Sequence, residues 1–300
     1  MASTTQNHPA TTTLPSPVKL ESGPGGIPLI HVDNNNASAQ ISLLGGTVLS
    51  YKPHATQPVV WMSSQNKFEL GTGIRGGIPV CWPWFAVHPQ TNYPHHGFVK
   101  GMLWEVLKTH EEDNTTHIEL GIANISQYSQ YWAHNCSLHL SISIGEQLDL
   151  CLTTTNGGAH PFIYSAAFHT YFNISHINNT RILGLENIPY QCKMRNNQQF
   201  VDTDALKINE PVNRIYLNPP PICYIEDDGY QRRIVVKKYG NHTTVVWSPS
   251  EEWCKNQTDI LSSERFSMVC VESVVGPHEL QAIQPGQSHT FSTSLTVEKL

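Results

Sequence analysis

Glu272 lies in Ser267-Met-Val-Cys-Val-Glu-Ser-Val-Val275, an apolar run that otherwise reads as a buried strand. An ionised carboxylate is costly to bury alone. This one therefore needs a paired donor, a raised pKa that keeps it protonated, or a place at an opening where it does chemistry. Pairing with an arginine accounts for an isolated Glu as well as catalysis does. His169 poses a similar question, set among apolar and aromatic residues in Ser165-Ala-Ala-Phe-His-Thr-Tyr-Phe172. Taken alone, a histidine there is more often a hydrogen-bonded core residue than a catalyst. Two further segments concentrate polar groups. In Gly73-Ile-Arg-Gly-Gly-Ile-Pro-Val-Cys-Trp-Pro-Trp-Phe85, Arg75 precedes two glycines that let the backbone turn sharply toward a ligand, with Trp82 and Trp84 expected as an apolar wall. A structural Gly/Pro bend with an exposed Arg fits equally well. Pro94-His-His-Gly-Phe-Val-Lys100 brings His95, His96 and Lys100 into one short stretch, where adjacent histidines of an extended chain would face opposite ways.

Other chemistries lack their patterns. The 16 histidines include no H-x-x-x-H or H-E-x-x-H spacing on a helix, so no metal is expected. Glycine-rich phosphate cradles and the G-x-S-x-G elbow are absent. The run Glu226-Asp-Asp228 ahead of Gly229 reads as a solvated hairpin turn.

The elements that must position these residues are strands. Leu138, Leu140, Ile142 and Ile144 alternate toward one face, as do Leu148, Leu150 and Leu152 beyond the turn Gly145-Glu146-Gln147, which predicts a core hairpin. A second hairpin is predicted from Arg233–Tyr239 through Gly240-Asn241 into Thr243–Trp247. Gly45-Gly46 bends the apolar segment 40–51, Phe291 to Val297 alternates as a closing strand, and a turn or two of helix fits near 250–260. Strands separated by Gly, Pro and Asn clusters predict an all-β, large antiparallel β-sandwich. With 39% hydrophobic residues in 300, residues 18–300 should form a single domain behind an unstructured Thr-, Ser- and Pro-rich tail over 1–17. The tail has no apolar run to act as a secretory leader, no segment approaches the roughly 20 apolar residues of a membrane span, and the seven cysteines show no C-x-x-C spacing. A reducing, cytoplasmic setting is expected. A net charge of −6 with 14% charged residues leaves no basic surface for nucleic acid.

Five segments in order carry a resemblance: IRGGIPVCWPWF at 74–85, HGFVKGMLWEV at 96–106, AAFHTYFNI at 166–174, VVWSP at 245–249 and MVCVES at 268–273. Together they resemble the aldose 1-epimerase (galactose mutarotase-like) superfamily, and within it the branch of hexose-6-phosphate mutarotases, also called glucose-6-phosphate 1-epimerases. The likeness runs over roughly 18–300 and implies that superfamily's β-sandwich. It also implies His169 as catalytic acid, Glu272 as catalytic base, His96 as a further active-site histidine and Arg75 as a substrate-binding residue. The sequence departs from the branch where His95 stands for an expected Gln, Lys100 for an Arg and Asn213 for an Asp, all three at positions expected to bind substrate.

The implied reaction interconverts the α and β anomers of a hexose 6-phosphate without a cofactor. A Glu272 carboxylate would take the C1 hydroxyl proton while a His169 imidazolium protonates the ring oxygen, with proximity lowering the first pKa and raising the second. The expected partner is a small sugar phosphate bound by a monomer. A mutarotase for an unphosphorylated aldose and a carbohydrate-binding protein with little turnover are the alternatives. The intact His169 and Glu272 count against the binding protein, since affinity does not need a base.

Overall fold

The computed structural model describes residues 17–123, 125, 128–276 and 280–300; the expected tail lies outside them apart from Pro17. Two large antiparallel sheets stack face to face. The first runs from Gln198–Phe200 through Tyr190–Cys192, Val212–Leu217, Thr243–Ser248, Met268–Val275 and Ala166–Phe168 to Val80–Cys81, with Tyr171–Asn173 also paired to Met268–Val275. The second orders Leu206–Lys207, Thr180–Leu183, Ile222–Asp227, Arg232–Tyr239, Ser288–Lys299, Leu148–Asn156, Cys136–Ile144, Thr115–Ile122 and Glu105–Glu112. A four-stranded sheet over residues 18–53 and a short pair, Phe162–Tyr164 with Gln281–Ile283, complete the sandwich.

The alternation in the sequence becomes the core. Leu140, Leu150 and Leu152 point between the sheets and are fully buried, each worth about 1.5–3 kcal/mol of transfer from water. Phe168 of one sheet meets Phe291 of the other at 4.8 Å between rings, and Ser273 Oγ donates to Thr293 Oγ1 at 3.2 Å. The predicted Leu138–Leu152 hairpin, the Gly45-Gly46 bend, the C-terminal strand and a helix at Glu251–Lys255 capped by Ser250 are all present.

The second predicted hairpin is not one. Arg232–Tyr239 pairs with Ile222–Asp227 and Ser288–Lys299, whereas Thr243–Ser248 pairs with Val212–Leu217 and Met268–Val275 in the other sheet. Both strands are apolar enough to be interior strands and have two partners each, so Gly240-Asn241 turns a corner between layers. The acidic run also differs from expectation. Glu226 and Asp227 are buried at the end of a strand, where Glu226 pairs with Arg181 and Arg233, and Asp227 accepts from Ser175, Gly229 and Tyr230.

Met268–Val275 is buried on both faces. Val269 and Val271 enter the inter-sheet core, while Met268, Cys270 and Val274 belong to clusters on the opposite face. Period-2 alternation therefore sends Glu272 to that outer face. The largely irregular segment between Pro53 and Glu105 covers this face, tied down by short bridges such as Val60 to Phe172 and Val48 to Ile78.

Candidate active site

On that outer face the strands line up side chains through their register. Glu272 stands opposite Val245, Trp247 opposite Asn213, and Ala167 opposite both Cys81 and Val274. His169 follows Phe168, whose ring is in the core, and is held by its N–H donating to Pro79 O at 3.0 Å. These residues form the floor of an open cleft of about 830 Å³, into which Arg75, His95, His96, Lys100, His169, Asn213 and Glu272 all project.

The walls depend on two backbone devices. Gly76 and Gly77, at φ 106° and 73°, let the chain turn tightly after Arg75; a Cβ there would lie 2.6 Å from Trp61 O and 2.5 Å from Val48 O respectively. Asn66 brackets the turn, its Oδ1 accepting from Arg75 N and its Nδ2 donating to Arg75 O, both at 2.6 Å. The guanidinium is then aimed by Asp259, which accepts from Nε at 3.1 Å, and by Tyr171 OH, which accepts from Nη1 at 3.1 Å. The second device corrects the expectation for the two histidines. His96 is not extended but left-handed, φ 61°, followed by Gly97 at φ 72°, whose missing Cβ would lie 1.9 Å from Trp82 O. The kink turns both rings to the cleft, 3.8 Å apart. Ala86 N donates to His96 Nδ1 at 3.0 Å, so the neutral ring presents Nε2–H as a donor.

Nε2 of His169 lies 3.5 Å from Oε1 of Glu272, and the ring stacks on Tyr171 at 4.8 Å. Neither His169 Nδ1 nor Glu272 Oε2, both buried, has a hydrogen-bond partner among the described residues. Burial drives the titration of both. It lifts Glu272 well above the carboxylate range; burial first, then the positive charge of Arg75, lowers His169 to about 3. Burial likewise holds His96 well below 6.5, with His169 adding to the effect. Burial thus favours the neutral carboxyl and the neutral imidazole over the carboxylate and imidazolium expected from the sequence, because it penalises each charge. The two forms hold the same protons and differ only in where one sits. Around this pair the charge is cationic. Lys100 has no carboxylate partner among the described residues, and burial lowers its pKa. Arg75 keeps donors free beyond those given to Asp259 and Tyr171.

Trp82 and Trp84 do not form the expected wall. Trp82 is in the core, donating to Thr154 Oγ1 at 3.2 Å, and Trp84 packs on Tyr93 and Phe98. Phe85, Trp247 and Trp253 line the cleft instead. Tyr171, Asp259, Trp253 and Lys193 were not singled out from the sequence. Of these, only Tyr171 carried a signal: two residues beyond His169, it shares its face.

Residues 28–296 match the family described as aldose 1-epimerase. The chain belongs to the aldose 1-epimerase family. It is therefore an isomerase with the galactose mutarotase-like all-β fold. A Salmonella typhimurium protein named "Putative glucose-6-phosphate 1-epimerase" is 30% identical over 88% of this chain and 89% of its own. A Cenchrus ciliaris protein of the same name is 30% identical over 91% of this chain and 86% of its own. The crystal structure of a Salmonella typhimurium protein named "putative mutarotase" superposes with a TM-score of 0.90 at 27% identity, covering 97% of each chain. In this aldose 1-epimerase no described helix is long and apolar enough to cross a membrane.

Proposed function

We propose that this epimerase interconverts the α and β anomers of a hexose 6-phosphate, glucose 6-phosphate first among them, as a cytoplasmic monomer. One observation carries the reading: a buried Glu272, its Oε2 without a partner among the described residues, faces His169 in a cleft whose remaining free charges are cationic, in a protein of net charge −6. The names of the relatives agree with it. The phosphate sits against Lys100 and the free donors of Arg75. His96 Nε2–H and Asn213 hold sugar hydroxyls, and the anomeric centre lies between Glu272 and His169.

Binding prepares the pair. A phosphate dianion offsets the charges of Arg75 and Lys100, both of which depress His169, so the shared proton moves to the imidazole. Glu272 then accepts the C1 hydroxyl proton as His169 protonates the ring oxygen. The C1–O5 bond breaks and C1 becomes an aldehyde. Rotation about C1–C2 and reclosure, with both protons returned, gives the other anomer and regenerates the pair.

Saturation-transfer NMR on glucose 6-phosphate and on free galactose, with wild type and Glu272→Gln, tests this. Enzyme-dependent exchange of the phosphorylated sugar that vanishes in the variant is expected. Exchange of free galactose alone would reassign the substrate, and binding without exchange in either protein would make the chain a binding protein.

A further inference from the structure

On the far side of the sandwich from the cleft, the hairpin of Glu105–Glu112 and Thr115–Ile122 ends in a group the family reaction does not use. Thr116, Ile118 and Leu120 point into the sandwich, so His117 points outward. His110 is directly opposite His117 in the ladder, and Glu112, two residues on, shares its face. The two imidazoles stack at 4.6 Å with planes 17° apart. One ligand atom from each of His110, Glu112 and His117 lies within 4.8 Å of the others.

The geometry points to a structural site for a divalent first-row transition ion, held by His110, His117 and Glu112 with water completing the shell. Two imidazoles and one carboxylate are a donor set that suits Zn²⁺, which binds such nitrogens at about 2.0–2.1 Å and tolerates an open fourth position. Tetrahedral ligands at that radius are about 3.3 Å apart, so binding draws the three donors together and turns the stacked imidazoles until their in-plane lone pairs converge. Two further observations favour an ion. His110 Nδ1 is buried with no hydrogen-bond partner among the described residues, an orphan of the kind native structures rarely leave. Ser143, opposite His117 on the next strand, has its Oγ 2.9 Å from His117 Nδ1. Metal binding through Nε2 takes the tautomer in which Nδ1–H donates to that oxygen, the outer contact that orients ligating histidines.

The placement supplies a purpose. Glu105–Glu112 is the edge strand of the nine-stranded sheet, it is mostly exposed, and its register slips between Val106 and Lys108. An ion bridging both strands beside the turn pins an edge that burial holds weakly.

Zinc chloride titrated calorimetrically into metal-free full-length protein tests the site. One ion per chain is expected, with affinity reduced at least tenfold in His110→Ala/His117→Ala and in Glu112→Gln, and by roughly tenfold in Ser143→Ala. Zinc should raise the thermal midpoint of wild type but not of the double variant, while the anomer exchange rate of both stays equal, which also shows that the variant is folded. Absence of saturable binding at sub-millimolar zinc, or undiminished binding in the double variant, overturns the inference. Neither result touches the cleft.

Discussion

Nε2 of His169 and Oε1 of Glu272 stand 3.5 Å apart, too far for a strong hydrogen bond and close enough for each to reach one end of a hemiacetal. Replacing Glu272 by Gln keeps the shape and removes the proton acceptor. Exchange should fall roughly a hundred- to ten-thousand-fold while the Kd for the sugar phosphate changes little. Loss of binding in parallel with exchange would make Glu272 a binding group instead.

Lys100 has room because Gly73 lacks a side chain; a Cβ there would be 2.9 Å from Lys100 Cδ. Lys100→Ala should raise KM for glucose 6-phosphate much more than for an unphosphorylated aldose. Equal effects would remove it from the phosphate site.

Asp259 is a positioning residue, since it aims Arg75 and does not itself line the cleft. Asp259→Asn should raise KM roughly three- to tenfold, the order of 1 kcal/mol for a part-exposed ion pair, with kcat nearly unchanged. A fall in kcat at constant KM would place Asp259 in the chemistry.

His169 and His96 are held neutral by burial, His169 to about pH 3. Unfolded, both take up protons near pH 6.5, so between the folded and unfolded values the unfolded state holds more protons. Their contribution to stability rises with pH through that window and is lost on acidification from about 6.5, each by at most about 1.4 kcal/mol per pH unit. Glu272 acts oppositely above about pH 4.5, where its raised pKa leaves the folded state with the extra proton. Thermal midpoints between pH 7 and 5 should therefore drop in wild type and drop less in His96→Asn. Identical slopes would mean that His96 titrates normally.

Gly97→Ala puts a Cβ 1.9 Å from Trp82 O at a left-handed position. Strain of about 1–3 kcal/mol for the backbone alone is expected, lowering the urea midpoint, with exchange falling further as His96 is displaced. An unchanged midpoint would show that the turn can relax.

Alternation along the chain was enough to give the core strands and the all-β class, and five ordered segments carried the family. Leu138 to Leu152 alternates because each strand has one face in the core, and Glu272 announced itself as a carboxylate where only apolar residues belong. All seven residues singled out from the sequence line the cleft, though the roles expected of Arg75, His96, His169 and Glu272 came from the five ordered segments, and His95, Lys100 and Asn213 stood out as departures from the family pattern. What the chain could not show locally was decided by packing. Arg232–Tyr239 and Thr243–Ser248 look like a hairpin, yet each finds better partners in separate layers, a competition settled only when every strand is present. His95 and His96 share a cleft through a left-handed kink that no side-chain pattern encodes. Asp259 reaches Arg75 across 184 positions of sequence, and His110 meets His117 through a strand register that a search for helical spacing passes over. The protonation of His169 and Glu272 follows from burial, a property of the assembled site and not of either residue.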